Sequence, residues 1–321
     1  MEKMMTSKLP EISVLITVFN GERYLKMAID SILNQTFQDF ELVIVNDGSV
    51  DSTEAIIFSY NDSRIKYYKN SENMGIVPSA NKGIDLCVGK FVARLDADDI
   101  ALPERLEKQW NYLNARPELA MIGGAMELIG SENQHIKIIR ADSPPNLVKA
   151  KLFFENIFVH STIFIRRSIL AEFRYNADYT FYAEDYFLWS QVAFQYPVAN
   201  LPEIFVKYRT HPQSVSIRTK NTEKQRDTIM KIHAYHLNKL DIYPSADELN
   251  LHYKLLYNPV GILIFDRNER KSMTAWIEKM LKQNEILQVY DNEYFSSQLK
   301  SRWSFRKKLR IAYLHLKKSL K

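Results

Sequence analysis

Cysteine is nearly absent: Cys87 is the single one in 321 residues. One thiol supports no intramolecular disulfide, no CxxC redox pair and no cysteine zinc cluster, so a reducing compartment is the expected setting. Also missing is an apolar run of about 20 residues, the length that hydrocarbon demands. The longest uncharged stretch, Tyr186 to Pro202, is broken by Ser190, Gln191, Gln195, Pro197, Asn200 and Pro202. Ile12 to Phe19 contains Ser13 and Thr17 and lacks a small-x-small cleavage site, so it reads as a strand and not as the core of a secretory signal. There is no GxGxxG, which argues against a dinucleotide dehydrogenase. The text after the first apolar run, Asn20-Gly21-Glu22-Arg23, is not the Gly- and Arg-rich loop of a nucleotidyltransferase. Fixed-period repeats and low-complexity linkers are lacking too.

What is present is a composition with 46% hydrophobic and 25% charged residues, enough to bury the core of one large domain with an appendage. Lys and Arg number 43 against 38 Asp and Glu, but the excess is local. Residues 300–321 carry nine basic side chains and no acid, leaving 34 basic against 38 acidic residues elsewhere. A mildly acidic body argues against a nucleic-acid partner. In the tail, Phe305, Leu309, Ala312, Leu316 and Leu320 recur at helical spacing beneath a dense positive surface. Such a helix suits an anionic membrane surface, which is the favoured reading; a helix packed on the body is the alternative, and the tail could dimerise as readily as it docks. The expected location is cytoplasmic, with peripheral attachment to the inner face of the plasma membrane if the tail takes the first role.

From residue 11 to about 130, short β-branched runs alternate with segments of helical period. Ile12–Phe19, Phe40–Val45, Ile65–Tyr68 and Phe91–Leu95 read as strands, and about 22–35, 51–60, 77–87 and 103–115 as helices. This is the rhythm of βαβ units, and the all-apolar runs VLITVF and ELVIVND predict strands covered on both faces. The expected class is therefore α/β, with a mostly parallel, Rossmann-like sheet in α/β/α layers and ligands at the carboxyl ends of its strands. Strand-like Ala120–Ile129 and Ile163–Ile165 and a helix at about 184–195 follow. After residue 221 the pattern is helical, with a break near Tyr243-Pro244. The expected domains are 1–220, with halves at about 11–100 and 101–220, and a helical 221–321.

Chemistry-bearing residues gather at the predicted strand ends. In Arg94-Leu95-Asp96-Ala97-Asp98-Asp99, strand alternation would put Asp96 and Asp98 on one face, where Mg²⁺ or Mn²⁺ is the natural partner for clustered carboxylates and phosphate. An exposed acidic turn capping the next helix is the plain alternative. Asp47, as an acceptor, selects a base presenting N–H, such as uracil, thymine or guanine; it would also serve as a simple helix cap. Glu184-Asp185 opens a helix whose N-terminus favours the anionic form a general base needs, although acids at helix starts are common. His160-Ser161-Thr162 precedes a strand, and His211 gains weight if a metal site lacks ligands.

Five blocks then occur in order over roughly residues 11 to 216: ISVLITVFNGERYLKMAIDSILNQTFQDFELVIVNDGSVDST, NMGIVPSANKGI, GKFVARLDADDI, FYAEDYFLW and YRTHPQSVS. Together they resemble family 2 glycosyltransferases with the GT-A fold. The resemblance implies transfer of a sugar from a nucleotide-diphosphate sugar, most often a UDP-sugar, with inversion. The implied acceptor is a saccharide or lipid-linked saccharide. By position it implies that Phe19, Asn20 and Glu22 line the nucleotide pocket, that Asp47 meets the base and that Asp96 lies by the ribose. Asn73, Asn81, Lys82, Arg94 and Ala97 complete the nucleotide-sugar set. Asp98 corresponds to the metal-coordinating end of the DxD motif, His211 to a histidine near the metal, and Asp185 to the catalytic base. One departure is Ala80, where the family often has Arg before the Asn; Lys82 or Arg94 is left to supply that charge. A subunit that binds nucleotide sugar or acts as a scaffold without turnover is the alternative reading.

Overall fold

The computed structural model describes residues 8–141, 143–180, 183–218, 222–257 and 267–303. The expectation for the basic tail falls almost wholly outside these residues. Nine strands form one sheet: β1 Ile12–Val18, β2 Phe40–Asn46, β3 Ile65–Lys69, β4 Phe91–Arg94, β5 Ile100–Ala101, β6 Met121–Ile129, β7 His135–Ile139, β8 Phe164–Arg166 and β9 Val198–Arg209. Their order is β3-β2-β1-β4-β8-β6-β9-β5, with β7 paired to β6. The ladders joining β3, β2, β1 and β4 are parallel, as the sequence pattern requires. Beyond β4 the sheet is mixed, because β8 runs antiparallel to both β4 and β6, while β6 and β9 are parallel.

The helices are α1 Leu25–Leu33, α2 Thr53–Phe58, α3 Ile76–Leu86, α4 Arg105–Asn114, α5 Pro145–Leu152, α6 Arg167–Glu172, α7 Glu184–Gln195, α8 Val215–Arg218, α9 Glu223–Asn238, α10 Ala246–Tyr257 and α11 Arg267–Leu287. All seven residues of β2 are buried, so both of its faces are covered. One face, with Ile12, Val14, Ile16, Leu42 and Ile44, joins the core made with Leu25, Ala28, Ile29 and Ile32 of α1. Those four follow the spacing of a helix stripe. The opposite face meets α3 at Gly83, where a Cβ would stand 2.3 Å from Leu15 Cδ1. Only a residue without a side chain lets that helix so close to β1.

The chain forms two compact units, one of residues 1–148 and 156–225 and the other of 149–155 and 226–321. The division near 220 expected from periodicity thus lies at 225/226, and a seven-residue piece from the middle of the chain joins the second unit. There Phe153 is the hub: its ring has those of His233, His236, His252, Tyr290 and Phe295 at 4.8–6.3 Å. No helix among the described residues is long and apolar enough to cross a membrane.

Candidate active site

The acidic stretch after β4 does not continue the strand. Asp99 N–H donates to the Asp96 carbonyl at 3.2 Å and closes a turn, so strand alternation does not set the directions of Asp96 and Asp98. The three carboxylates have separate partners. Asp96 pairs with Arg94 at 3.2 Å and with His160 Nδ1 at 3.3 Å. Asp98 Oδ2 lies 3.0 Å from His211 Nε2. Asp99 is buried, accepting from the Ser161 hydroxyl and, at 2.7 Å, from Arg209 N–H.

These environments move the proton affinities of Asp96 and Asp99 in opposite directions. Burial disfavours ionised Asp96, but His160, Arg94 and Ser161 outweigh it and hold the carboxyl below its usual range. Burial and then the charges of Asp98 and Asp96 push Asp99 well above that range. Beneath the turn, burial lowers Arg105 to about 9 while its guanidinium donates to the Arg94 carbonyl at 2.7 Å. Asp99 is thus a structural pin between the turn and β9, while Asp96 and Asp98 stay partly open, 28% and 32% exposed.

His211 is placed by β9. Arg209, the last residue of that strand, is buried; it donates from Nε to the Asp98 carbonyl at 2.8 Å and from a terminal nitrogen to Asn133 Oδ1 at 2.7 Å. Its guanidinium lies 4.4 Å from the Tyr24 ring centroid, and that ring in turn is 4.9 Å from the imidazole of His211. One carboxylate oxygen and one imidazole nitrogen make a mixed donor set suited to Mn²⁺ or Mg²⁺, with Mn²⁺ the better match for the nitrogen. Among the described residues no group of three or more His, Cys, Asp and Glu forms a complete cage. A cation held by Asp98 and His211 would take its remaining ligands from water and phosphate oxygens, the usual habit of a hard dication at a nucleotide.

The start of α7 separates its two acids. Glu184 is buried and raised to about 7, by burial first and then by the neighbouring Asp185 charge. Asp185 remains partly exposed. Its oxygens accept from Asn156 Nδ2 at 3.0 Å and from Tyr186 N–H at 2.6 Å. The sequence expectation was that the helix N-terminus holds this acid in the anionic form. The amide does so, and His160 adds to it, but burial prevails and the net shift is upward, with Asp96 adding repulsion. Trp189, further along the same helix, packs 6.4 Å from the ring of His160, the partner of Asp96.

Most of the residues expected at the nucleotide are engaged by other parts of the protein. Asn20, at φ 53°, accepts from Val50 N–H at 3.0 Å, and Glu22 accepts from Ser52 N–H at 3.1 Å, which lashes the loop after β1 to the loop after β2. Phe19 stands 47% exposed. Buried Asp47 accepts from Asn70 Nδ2 at 2.8 Å, Met74 N–H at 2.9 Å and Gly75 N–H at 2.9 Å, and Asn73 Oδ1 also accepts from Gly75 N–H at 3.0 Å. Lys82 donates to Asn70 Oδ1 at 2.7 Å. Arg94 is buried, donating to the Leu15 and Leu95 carbonyls and to Thr17 Oγ1 at 2.6–2.8 Å. Ala97 packs against the core. Asn81 turns both amide atoms to the backbone of Tyr175, at 2.8 and 3.1 Å. Sequence reasoning gave no role to Tyr175, Asn156 or Arg209, and it left His160 among unassigned histidines. The Ser161-Thr162 pair ahead of an apolar run was the only available hint for the last.

Comparison with known proteins bears on this arrangement. A family model described as Glycosyl transferase family 2 matches residues 13–174, just over half of the chain. An uncharacterized glycosyltransferase of Haemophilus influenzae is 35% identical over 249 residues, 73% of this chain and 76% of that one. The O-antigen biosynthesis glycosyltransferase WbnJ of Escherichia coli is 34% identical over 210 residues, 63% of this chain and 81% of its own. The fold is shared with S. aureus TarS 1–349 in complex with UDP-GlcNAc (TM-score 0.62, 15% identity, 95% of this chain and 92% of that one). It is shared also with the mannosyltransferase PcManGT from Pyrobaculum calidifontis in complex with GDP-Man and Mn²⁺ (TM-score 0.56, 15% identity, 95% and 88%). These neighbours carry the GT-A class expected from the sequence. With the model spanning residues 13–174 and a relative matched over three quarters of its length, the chain belongs to glycosyl transferase family 2.

Proposed function

We propose that this glycosyltransferase moves a sugar, with inversion, from a UDP-sugar to a hydroxyl of a saccharide or lipid-linked saccharide in surface polysaccharide or glycoconjugate synthesis. The observation that supports the reading is that α7, which opens with Glu184-Asp185, packs Trp189 6.4 Å from His160, the 3.3 Å partner of Asp96 on the turn that carries the Asp98–His211 pair. On this reading an acid that can accept a proton and a donor set for a cation serve one site. WbnJ, whose name places it in O-antigen biosynthesis, and TarS, seen with UDP-GlcNAc, support the substrate classes.

Asp98 and His211 would hold a divalent cation, and that cation, when bound, supplies Lewis-acid stabilisation of the charge on the departing diphosphate. Asp47 selects the base. Its Oδ1 already accepts twice and its Oδ2 once, which leaves Oδ2 the acceptor capacity for an imide N–H. Asp185 takes the proton of the attacking hydroxyl on the face opposite the leaving group, so a single displacement inverts the anomeric centre. Its raised proton affinity suits this task as long as the solution pH exceeds it. Residues 300–321 would bring the enzyme to an anionic leaflet by their charge.

A panel of UDP-, dTDP- and GDP-sugars tests the reading through nucleotide release with and without Mn²⁺, with Asp98→Ala as control. Release from UDP-sugars that requires Mn²⁺ and Asp98 is expected. Donor binding without release from any of them would favour a non-catalytic scaffold instead.

A further inference from the structure

The Asp98–His211 pair has a third neighbour, contributed from the first βα turn: Tyr24. Its backbone is fixed at the start of α1. Tyr24 and Leu25 N–H donate to the Gly21 carbonyl at 3.1 and 3.0 Å, and the Tyr24 carbonyl accepts from Met27 N–H at 2.9 Å. Gly21 N–H donates in turn to Thr53 Oγ1 at 2.8 Å, which ties the turn carrying the ring to α2. The ring is buried, and its centroid stands 4.9 Å from that of the His211 imidazole at an interplanar angle of 45°. Two guanidinium groups also lie over it, that of Arg209 at 4.4 Å and that of Arg23 at 5.1 Å. The phenol hydroxyl is buried and finds no hydrogen-bond partner among the described residues. An unpaired buried hydroxyl costs stability, so what this residue gives the site is its ring.

We propose that Tyr24 is a positioning residue for the cation site: its ring keeps the His211 imidazole turned so that Nε2 faces Asp98 Oδ2, ready to share a divalent cation with it. The proposal rests on the reading of Asp98 and His211 as the ligands of that cation, and deepens it. The last torsion of a histidine is broad, so an imidazole keeps one orientation only when its surroundings impose it. The side-chain hydrogen bonds of His211 impose little. Nδ1 lies 3.2 Å from Oε1 of Gln213, an exposed side chain, and Nε2 lies 3.0 Å from Asp98. Sharing a cation gives up the second of these contacts, which leaves packing to hold the ring. The Tyr24 ring is that packing. Arg209 lies over the same ring while its Nε donates to the Asp98 carbonyl at 2.8 Å and a terminal nitrogen stands 3.9 Å from Met27 Sδ of α1. One aromatic side chain therefore touches His211 and also the arginine that holds the backbone of Asp98.

The test is a double-mutant cycle on the full chain, read as Mn²⁺ affinity in the presence of UDP from the electron paramagnetic resonance signal of free Mn²⁺. Tyr24→Leu removes the ring, Tyr24→Phe keeps it, and His211→Ala removes the nitrogen ligand. Tyr24→Leu should weaken Mn²⁺ binding by about 10-fold, and Tyr24→Phe should stay within about twofold of the wild type. In the His211→Ala background, Tyr24→Leu should add less than about twofold. A ring that only stabilised the fold would cost the same in both backgrounds, and that outcome overturns the proposal. A loss in Tyr24→Phe equal to that in Tyr24→Leu overturns it too, by assigning the effect to the hydroxyl. A measurement on the wild type covers the case in which Tyr24→Leu does not fold. The nuclear Overhauser contact between the ring protons of Tyr24 and His211 should persist when Mg²⁺ and UDP are added, and its loss overturns the proposal. If the wild type binds Mn²⁺ no more tightly than His211→Ala, the reading of the cation site fails and this proposal fails with it.

Discussion

His211 Nε2 lies 3.0 Å from Asp98 Oδ2 across 113 residues of sequence. The contact depends on β9 running beside the acidic turn, where Arg209 fastens to the Asp98 carbonyl two residues before the histidine. This pair sets the first prediction. His211→Ala should raise the Mn²⁺ concentration needed for half-maximal nucleotide release by at least about 10-fold and should affect Mg²⁺ less, since imidazole is the softer donor. Titration of release against each metal measures it; equal effects on both metals would remove the histidine from the donor set.

Asp185→Asn keeps the hydrogen-bonding shape but cannot take a proton. The transfer rate should fall by about 10²–10⁴, the usual contribution of a general base, with donor affinity unchanged. In the wild type, burial raises this acid, so kcat should decline as the pH is lowered through a value above the ordinary aspartate range. A rate profile with no acid limb down to pH 4, or near-wild-type turnover in the variant, would refute Asp185 as base.

Glu184 gives a stability test with a defined sign. Its ordinary value is 4.5 and burial raises it to about 7, so between those limits the folded chain keeps a proton that the unfolded chain releases. The favourable contribution is complete below about 4.5 and disappears as the pH rises through 7. Glu184→Gln should therefore be neutral near pH 4.5 and stabilising at pH 8, with a ceiling of about 3 kcal/mol. Thermal melts of both chains across this range decide the matter.

The second unit should be acid-labile for the opposite reason. His233, His236 and His252 are fully buried, and burial drives all three down, the last two to about 3. Below about pH 6.5 the unfolded segment binds protons that the folded one refuses, so stability is complete above that value and lost as the pH falls toward 3. With three such groups the slope reaches about 4 kcal/mol per pH unit. Hydrogen exchange in the full chain should show residues 226–257 opening first on acidification, and His252→Gln should reduce the slope by about one proton.

Most of what was legible in the sequence is local in cause. The runs at Ile12–Val18 and Phe40–Asn46 are apolar on both faces and could only be interior strands, and the helices between them follow from their stripes. The strand Val198–Arg209 was hidden because Pro202 interrupts its pattern and its ladder to β6 shifts register twice. Also hidden was the assignment of residues 149–155 to the second unit, since no composition change marks them. Asp98, Asp185 and His211 stood out in the sequence because they stand in distinctive strings. Tyr175 bonds His160 and Asn81, which come from distant parts of the chain, and pairings of that kind leave no one-dimensional trace.

Consecutive residues of α3 bond two separate loops. Asn81 grips the Tyr175 backbone, while Lys82 reaches Asn70, the same side chain that bonds Asp47. A single helical step thus tethers the segment holding Asn70 and the loop of Tyr175 beside His160. On the proposed reading, a donor that shifts residues 70–75 would pull through α3 on the loop that carries Tyr175.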